Sequence, residues 1–230
     1  MEDGKYLIPK IEDSGQEAGN QKVVDAYFRY KDYMKNPEWI GASTEEVSSK
    51  FVGLVYDIYH TPLREVKKLE FQNPAYSAAF RLGRDPREFS RVFAIQLSGC
   101  DFDCSFCYVP RNINTANPKF GKYFSAKEIL DHFVKAREES KEPVNVIRIT
   151  GGNPTIVPEI IVDVYKEIQG RNLDVYLWID SNLSTKECLV RVGKELVEVL
   201  SQKNVGVVGC FKGVCEEDFS ILTGGCCGEL

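Results

Sequence analysis

The chain has 230 residues, 43% hydrophobic and 27% charged, which is the balance of a globular protein and excludes a disordered or fibrous one. A formal net charge of −5 provides no electrostatic footprint for non-specific nucleic-acid binding. No apolar stretch is long enough for a signal peptide or a membrane span, so the sequence predicts a cytoplasmic protein without membrane partners, in which eight cysteines read as ligands or free thiols and not as disulfides.

Residues 1–20 are rich in Gly, Glu and Asp and read as a flexible tail. Val23, Tyr27, Tyr30 and Met34 share one helical face, and Asn36-Pro37 ends that helix. Ser43-Thr44-Glu45-Glu46 has the form of a capping box and predicts a second helix, with Val47, Phe51, Leu54, Val55 and Ile58 as its apolar stripe. His60-Thr61-Pro62 stops it. A short third helix is expected over 63–71, and Gly83-Arg84-Asp85-Pro86 is a loop. Residues 21–90 are therefore expected to form an N-terminal helical extension.

From Arg91 the texture changes. Residues 92–97 form an apolar strand candidate. Ser125-Ala126-Lys127-Glu128 is a capping box, followed by a helix with Ile129, Leu130, Phe133 and Val134 inward. A second strand over 144–150 runs into Gly151-Gly152-Asn153-Pro154-Thr155. Pro158 suits the first turn of the next helix, which carries Ile160, Ile161, Val164 and Ile168. A third strand over 173–179 ends in Asp180-Ser181-Asn182. Ser184-Thr185-Lys186-Glu187 then caps a helix with Leu189, Val192, Leu196 and Val199 inward, and a fourth strand covers 205–211. Strands alternating with amphipathic helices specify parallel βαβ units. In such folds the loops after the strands share one face, where chemistry collects. The loop after the first strand, the Gly-Gly turn, the Asp-Ser-Asn turn and the turn at Lys212 should therefore converge.

The first of these loops carries Cys100, Cys104 and Cys107, spaced C-x3-C-x2-C. Three thiolates from one tight loop stop one short of the four that close a structural zinc site or an electron-transfer 4Fe–4S cluster. The shortfall points to a cluster with one iron left open. Cys188 and Cys210 read as packing residues. Cys215, Cys226 and Cys227 are candidates for an auxiliary cluster or zinc site, although their spacing fits no established pattern. His60 and His132 have no metal-ligand partner at a useful spacing.

These residues in this order resemble the radical S-adenosylmethionine (radical SAM) superfamily, over roughly residues 91–224. The three cysteines follow a first strand. Gly151-Gly152-Asn153-Pro154 sits where the family has Gly-Gly-Glu-Pro, and Asp180-Ser181-Asn182 resembles the Asp/Glu-Thr-Asn turn. Phe211-Lys212-Gly213 with Glu217-Asp218-Phe219 and Leu222-Thr223-Gly224 is similar to the fourth-strand region of activating-enzyme-like members.

The resemblance implies an α/β fold: a partial (βα) barrel over 91–230 with about four parallel strands, incomplete at its C-terminus, behind the helical extension. It also implies a 4Fe–4S cluster on Cys100, Cys104 and Cys107 whose unique iron binds the amino and carboxylate groups of SAM. One electron from the reduced cluster splits an S–C bond, and the deoxyadenosyl radical takes a hydrogen atom from substrate. A reductant such as ferredoxin or flavodoxin is implied as partner, with a small molecule or protein as substrate. Phe106 matches the aromatic position against adenine, or anchors the loop to the core. Gly151 and Gly152 allow close backbone approach to SAM. Asn153 replaces a carboxylate that pairs with SAM's ammonium; its carbonyl can accept the same bond without charge assistance, or it shapes the turn. Asp180 and Asn182 are candidates for ribose or methionine contacts or for an ordered cation, or form an Asx turn that caps the third helix. Lys212 is a candidate for SAM's carboxylate, or is solvated.

Two other functions stay open at this level. A fourth ligand from Cys210, Cys215 or Cys226 would make a closed, non-catalytic iron–sulfur or zinc module. A degenerate or truncated chain would act only by binding a partner. A four-stranded wall leaves an uncovered edge, so the chain is expected to be a fragment, to be completed by its N-terminal helices or another chain, or to be a short member with an open site.

Overall fold

In the computed structural model, which describes residues 5–9, 53–57, 74–89, 91–105, 107, 109, 114–116, 121–184, 186–213 and 215–223, four apolar segments pair in parallel. These are β3 (Arg91–Leu97), β5 (Val144–Gly151), β6 (Tyr176–Ser181) and β7 (Val205–Gly209), in that spatial order. Their inner residues are buried on both faces, as parallel sheets require. Leu97 lies beside Gly151, Ile149 beside Ile179, and Ser181 beside Gly209, so the strands end at one level.

Alternation along each strand divides the core in two. One face presents Phe93, Ile95, Ile147, Ile149, Leu177 and Ile179 to α2 (Ala126–Glu139), α3 (Glu159–Gly170) and α4 (Lys186–Leu200). The other presents Val92, Val146, Tyr176 and Trp178 to Phe89 and the alanine side of α1 (Pro74–Leu82). The helix α1, unmarked by the sequence pattern, thus closes the lower part of the inner face. Ser77 and Tyr176 share a 2.8 Å hydroxyl hydrogen bond there. The Ser125 capping box opens α2, and Pro158 opens α3 as expected.

Two N-terminal expectations are corrected. Gly53–Asp57, expected inside a helix, is strand β2, antiparallel to β3. Its Val-Tyr-rich run satisfies the backbone of an open edge, a tertiary demand that helical periodicity cannot register. Tyr6–Pro9, expected in a flexible tail, is β1, paired antiparallel with β4 (Gly121–Phe124). The expected helices at 23–34 and 63–71 lie outside the described residues.

Candidate functional site

Backbone bonds join the expected loops at the strand ends. The Gly152 amide donates to the Leu97 carbonyl (2.8 Å) and the Asn153 amide to the Gly99 carbonyl (2.8 Å), sewing the Gly-Gly turn to the start of the cysteine loop. Gly151 has φ +93°, open mainly to glycine. A side chain on Gly152 would place its Cβ 1.7 Å from the Gly99 carbonyl oxygen. The second glycine is therefore required by loop-to-loop packing within the protein.

The cysteine loop is held from three sides. Cys100 N–H donates to the Asn114 carbonyl (2.9 Å). Asp103 and Ser105 amides donate to the Thr223 and Leu222 carbonyls at the end of α5 (Glu216–Thr223), using acceptors that a helix C-terminus leaves unpaired. Phe102 packs edge-on against Phe219 at 5.1 Å. Side-chain amides reach the sulfurs: Asn182 Nδ2 donates to Cys100 Sγ (3.4 Å) and Asn114 Nδ2 to Cys107 Sγ (3.3 Å).

Burial pushes the Cys100 thiol up, and that of Cys104 up to about 11, with the Lys212 ammonium pulling Cys104 the other way. Each of the three thiols lies within electrostatic reach of the other two. Among the described residues, no three Cys, His, Asp or Glu side chains gather tightly enough for a single metal ion. Three thiols on one loop, with N–H···S bonds on two of the three sulfurs, are a donor set that fits an iron–sulfur cluster. Two buried oxygens beside the loop, Ser98 Oγ and Asn114 Oδ1, have no partner among the described residues.

Behind the loop lies a polar network. Asn153 is buried, and its carbonyl oxygen receives the Thr155 amide (3.4 Å) and hydroxyl (2.9 Å), the Ser181 hydroxyl (3.4 Å) and the Asn182 amide (3.3 Å). Its Nδ2 donates to Asp101 Oδ1 (2.8 Å) and Ser184 Oγ (3.0 Å). Asp101, exposed, also accepts from Asn182 Nδ2 (3.4 Å) and from the Ser184 hydroxyl. Asp180 turns from the loop: Oδ2 takes Arg148 Nε (2.8 Å), Arg148 Nη2 and Thr150 Oγ1 (2.7 Å), and Oδ1 takes Trp178 Nε1 (2.8 Å).

Of the residues expected at the site, Cys100, Cys107, Gly152, Asn153 and Asn182 are tied together by these bonds; Cys104 joins them through its carbonyl, which accepts the Cys107 amide (3.0 Å), and Gly151 through its pairing beside Leu97. Lys212 is half-buried, near enough to Cys104 and Cys210 to lower both thiols against the upward push of burial. Asp180 joins the wall between β5 and β6. Phe106, Cys226 and Cys227 lie outside the described residues. Sequence reasoning passed over Asp101, Asn114 and the site role of Ser184. Asp101 was findable as a charged residue inside the cysteine motif. Ser184 was masked by its resemblance to a helix cap, and nothing local marks Asn114.

Comparison with known proteins agrees with this arrangement. Over 86 residues the chain is 29% identical to the 7-carboxy-7-deazaguanine synthase of Methanothermobacter thermautotrophicus, an alignment covering 36% of this chain and 31% of that protein. The chain thus spans about a third of the length of the curated relative it matches. The sequence model described as the Radical SAM superfamily matches residues 95–210, half of the chain and the same stretch that builds the loops just described; this protein belongs to the radical SAM superfamily.

Proposed function

We propose that the protein is a radical SAM enzyme in which Cys100, Cys104 and Cys107 hold a 4Fe–4S cluster beside a SAM site at the strand ends. When bound, the cluster and SAM together supply reductive S–C bond cleavage and a radical able to take hydrogen from a substrate. The observation that carries this reading is the joining of the cysteine loop to the Gly-Gly turn through Gly152 and Asn153.

In this proposal the chain's own residues position and tune. The Asn114 and Asn182 amides aim at cysteine sulfurs, where donors stabilise negative charge. Gly151 and Gly152 keep the backbone close to the ligand. Lys212 places positive charge beside Cys104 and suits the SAM carboxylate. Asp180 serves the site by locking β5 to β6 through Arg148. The reductant belongs to the ferredoxin or flavodoxin class. Among the described residues no helix is long and apolar enough to cross a membrane.

Anaerobic reconstitution tests the reading. The expected product carries about four irons and four sulfides per chain, and releases 5′-deoxyadenosine from SAM on reduction. A colourless folded protein, or a cluster whose reduced spectrum ignores SAM, would reject it in favour of a partner-binding or closed-site protein.

A further inference from the structure

SAM brings an α-amino group to any site that holds its methionine end, and its N–H donors are held most strongly by an anionic acceptor. The carboxylates and carbonyls near the cysteine loop can be sorted by what they already bind. The Asn153 oxygen receives four donors from its own turn and from β6, and Asn153 is buried. The two Asp180 oxygens receive Arg148, Thr150 and Trp178, and their charge is compensated by Arg148.

Asp101 differs on each count. It is exposed, it follows Cys100 directly, and its Oδ1 lies 3.8 Å from Cys100 Sγ. The side chains of other loops that donate to it, among the described residues, are neutral: the Asn153 and Asn182 amides and the Ser184 hydroxyl. A carboxylate has about four lone-pair positions, and among the described residues the Ser184 hydroxyl is the side-chain donor on Oδ2. Three side chains from two other strand-end loops therefore orient a negative charge that they do not neutralise, one residue from a cluster ligand.

Resting on the radical SAM reading above, we propose that the Asp101 carboxylate accepts a hydrogen bond from the α-amino group of SAM, and that Asn153, Asn182 and Ser184 are positioning residues for its carboxylate. The charged acceptor of this site then stands in the cysteine loop, and the Gly-Gly turn contributes the amide that aims it.

The test compares reconstituted wild-type protein with Asp101→Asn, measuring SAM affinity by equilibrium dialysis and iron content in parallel. Asp101→Asn should keep its iron and bind SAM about tenfold or more weakly, the loss expected for one charged hydrogen bond. A cluster-bearing wild type that binds no SAM would reject the radical SAM reading itself. A wild type that binds SAM, with Asp101→Asn within about twofold of it, would overturn this inference alone. Should Asp101→Asn fail to hold iron, Ser184→Ala, which leaves the cysteine loop intact and removes the hydroxyl that orients Asp101, decides in its place: SAM affinity lowered about threefold or more with iron retained supports the inference, and affinity within about twofold of wild type overturns it.

Discussion

At the scale of single residues, the site is made by side-chain amides where sequence motifs direct attention to thiols and glycines. Asn182, a candidate for ribose or methionine contacts, an ordered cation or an Asx turn, has its Nδ2 on Cys100 Sγ at 3.4 Å. Asn114 does the same for Cys107 at 3.3 Å. A donor on a cluster sulfur favours the more negative, reduced state, so removing it should make reduction harder. Asn182→Ala and Asn114→Ala are each expected to lower the cluster's reduction potential by up to about 60 mV, equivalent to about 1.4 kcal/mol for one electron. Anaerobic redox titration checks this, and an unchanged or raised potential would contradict the assignment. Cys100, Cys104 and Cys107 were legible because their spacing along one loop is a local property. Asn114 was not, because what marks it is a sulfur seven residues back, reached only through the loop's path.

At the scale of elements, local chemistry was read well where it acts alone. Ser125 and Glu128 form the reciprocal cap that opens α2, as their spacing predicts. The Ser125 amide and hydroxyl hold the Glu128 carboxyl below its ordinary value. A carboxyl lowered in the folded state stabilises above its unfolded pKa, about 4.3, and that stabilisation is lost as pH falls through the lower folded value. Ser125→Ala should therefore cost about 1 kcal/mol at neutral pH, measured by urea denaturation. The gap between variant and wild type should narrow below about pH 4, and a gap that widened in acid would contradict the capping role. By contrast, β2 was read as a helix because Leu54, Val55 and Ile58 suit either period, and its state is decided by the vacant edge of β3. The α1 helix was missed because its buried face is built from Ala75, Ala78 and Ala79, whose small side chains leave little pattern.

At the scale of the whole molecule, the site rests on a wall whose lower part is apolar and whose upper part is polar. The inner face passes from Val92, Val146 and Tyr176 against α1 to Arg148, Thr150 and Asp180 near the strand ends. The Arg148–Asp180 pair joins neighbouring strands with side chains 29% and 14% exposed. Asp180→Ala leaves Arg148, Thr150 and Trp178 without their shared acceptor, and should destabilise the fold by about 1.5–3 kcal/mol. A shift of the urea midpoint at constant slope, with iron content retained, is the expected result. Loss of iron or of SAM binding at unchanged stability would instead place Asp180 in direct contact with a ligand.

The sequence by itself determined the four parallel strands, the helices between them and the convergence of their loops, because alternation, capping and strand-to-helix order are short-range properties that each segment carries alone. It also determined which three thiols share one loop. Only the tertiary structure decided that Gly53–Asp57 extends the sheet, that α1 covers the inner face, and that Asp101 is oriented by Asn153, Asn182 and Ser184. Those outcomes depend on contacts between residues tens of positions apart, where an edge, an apolar face or a carboxylate finds its partner only after the chain has folded.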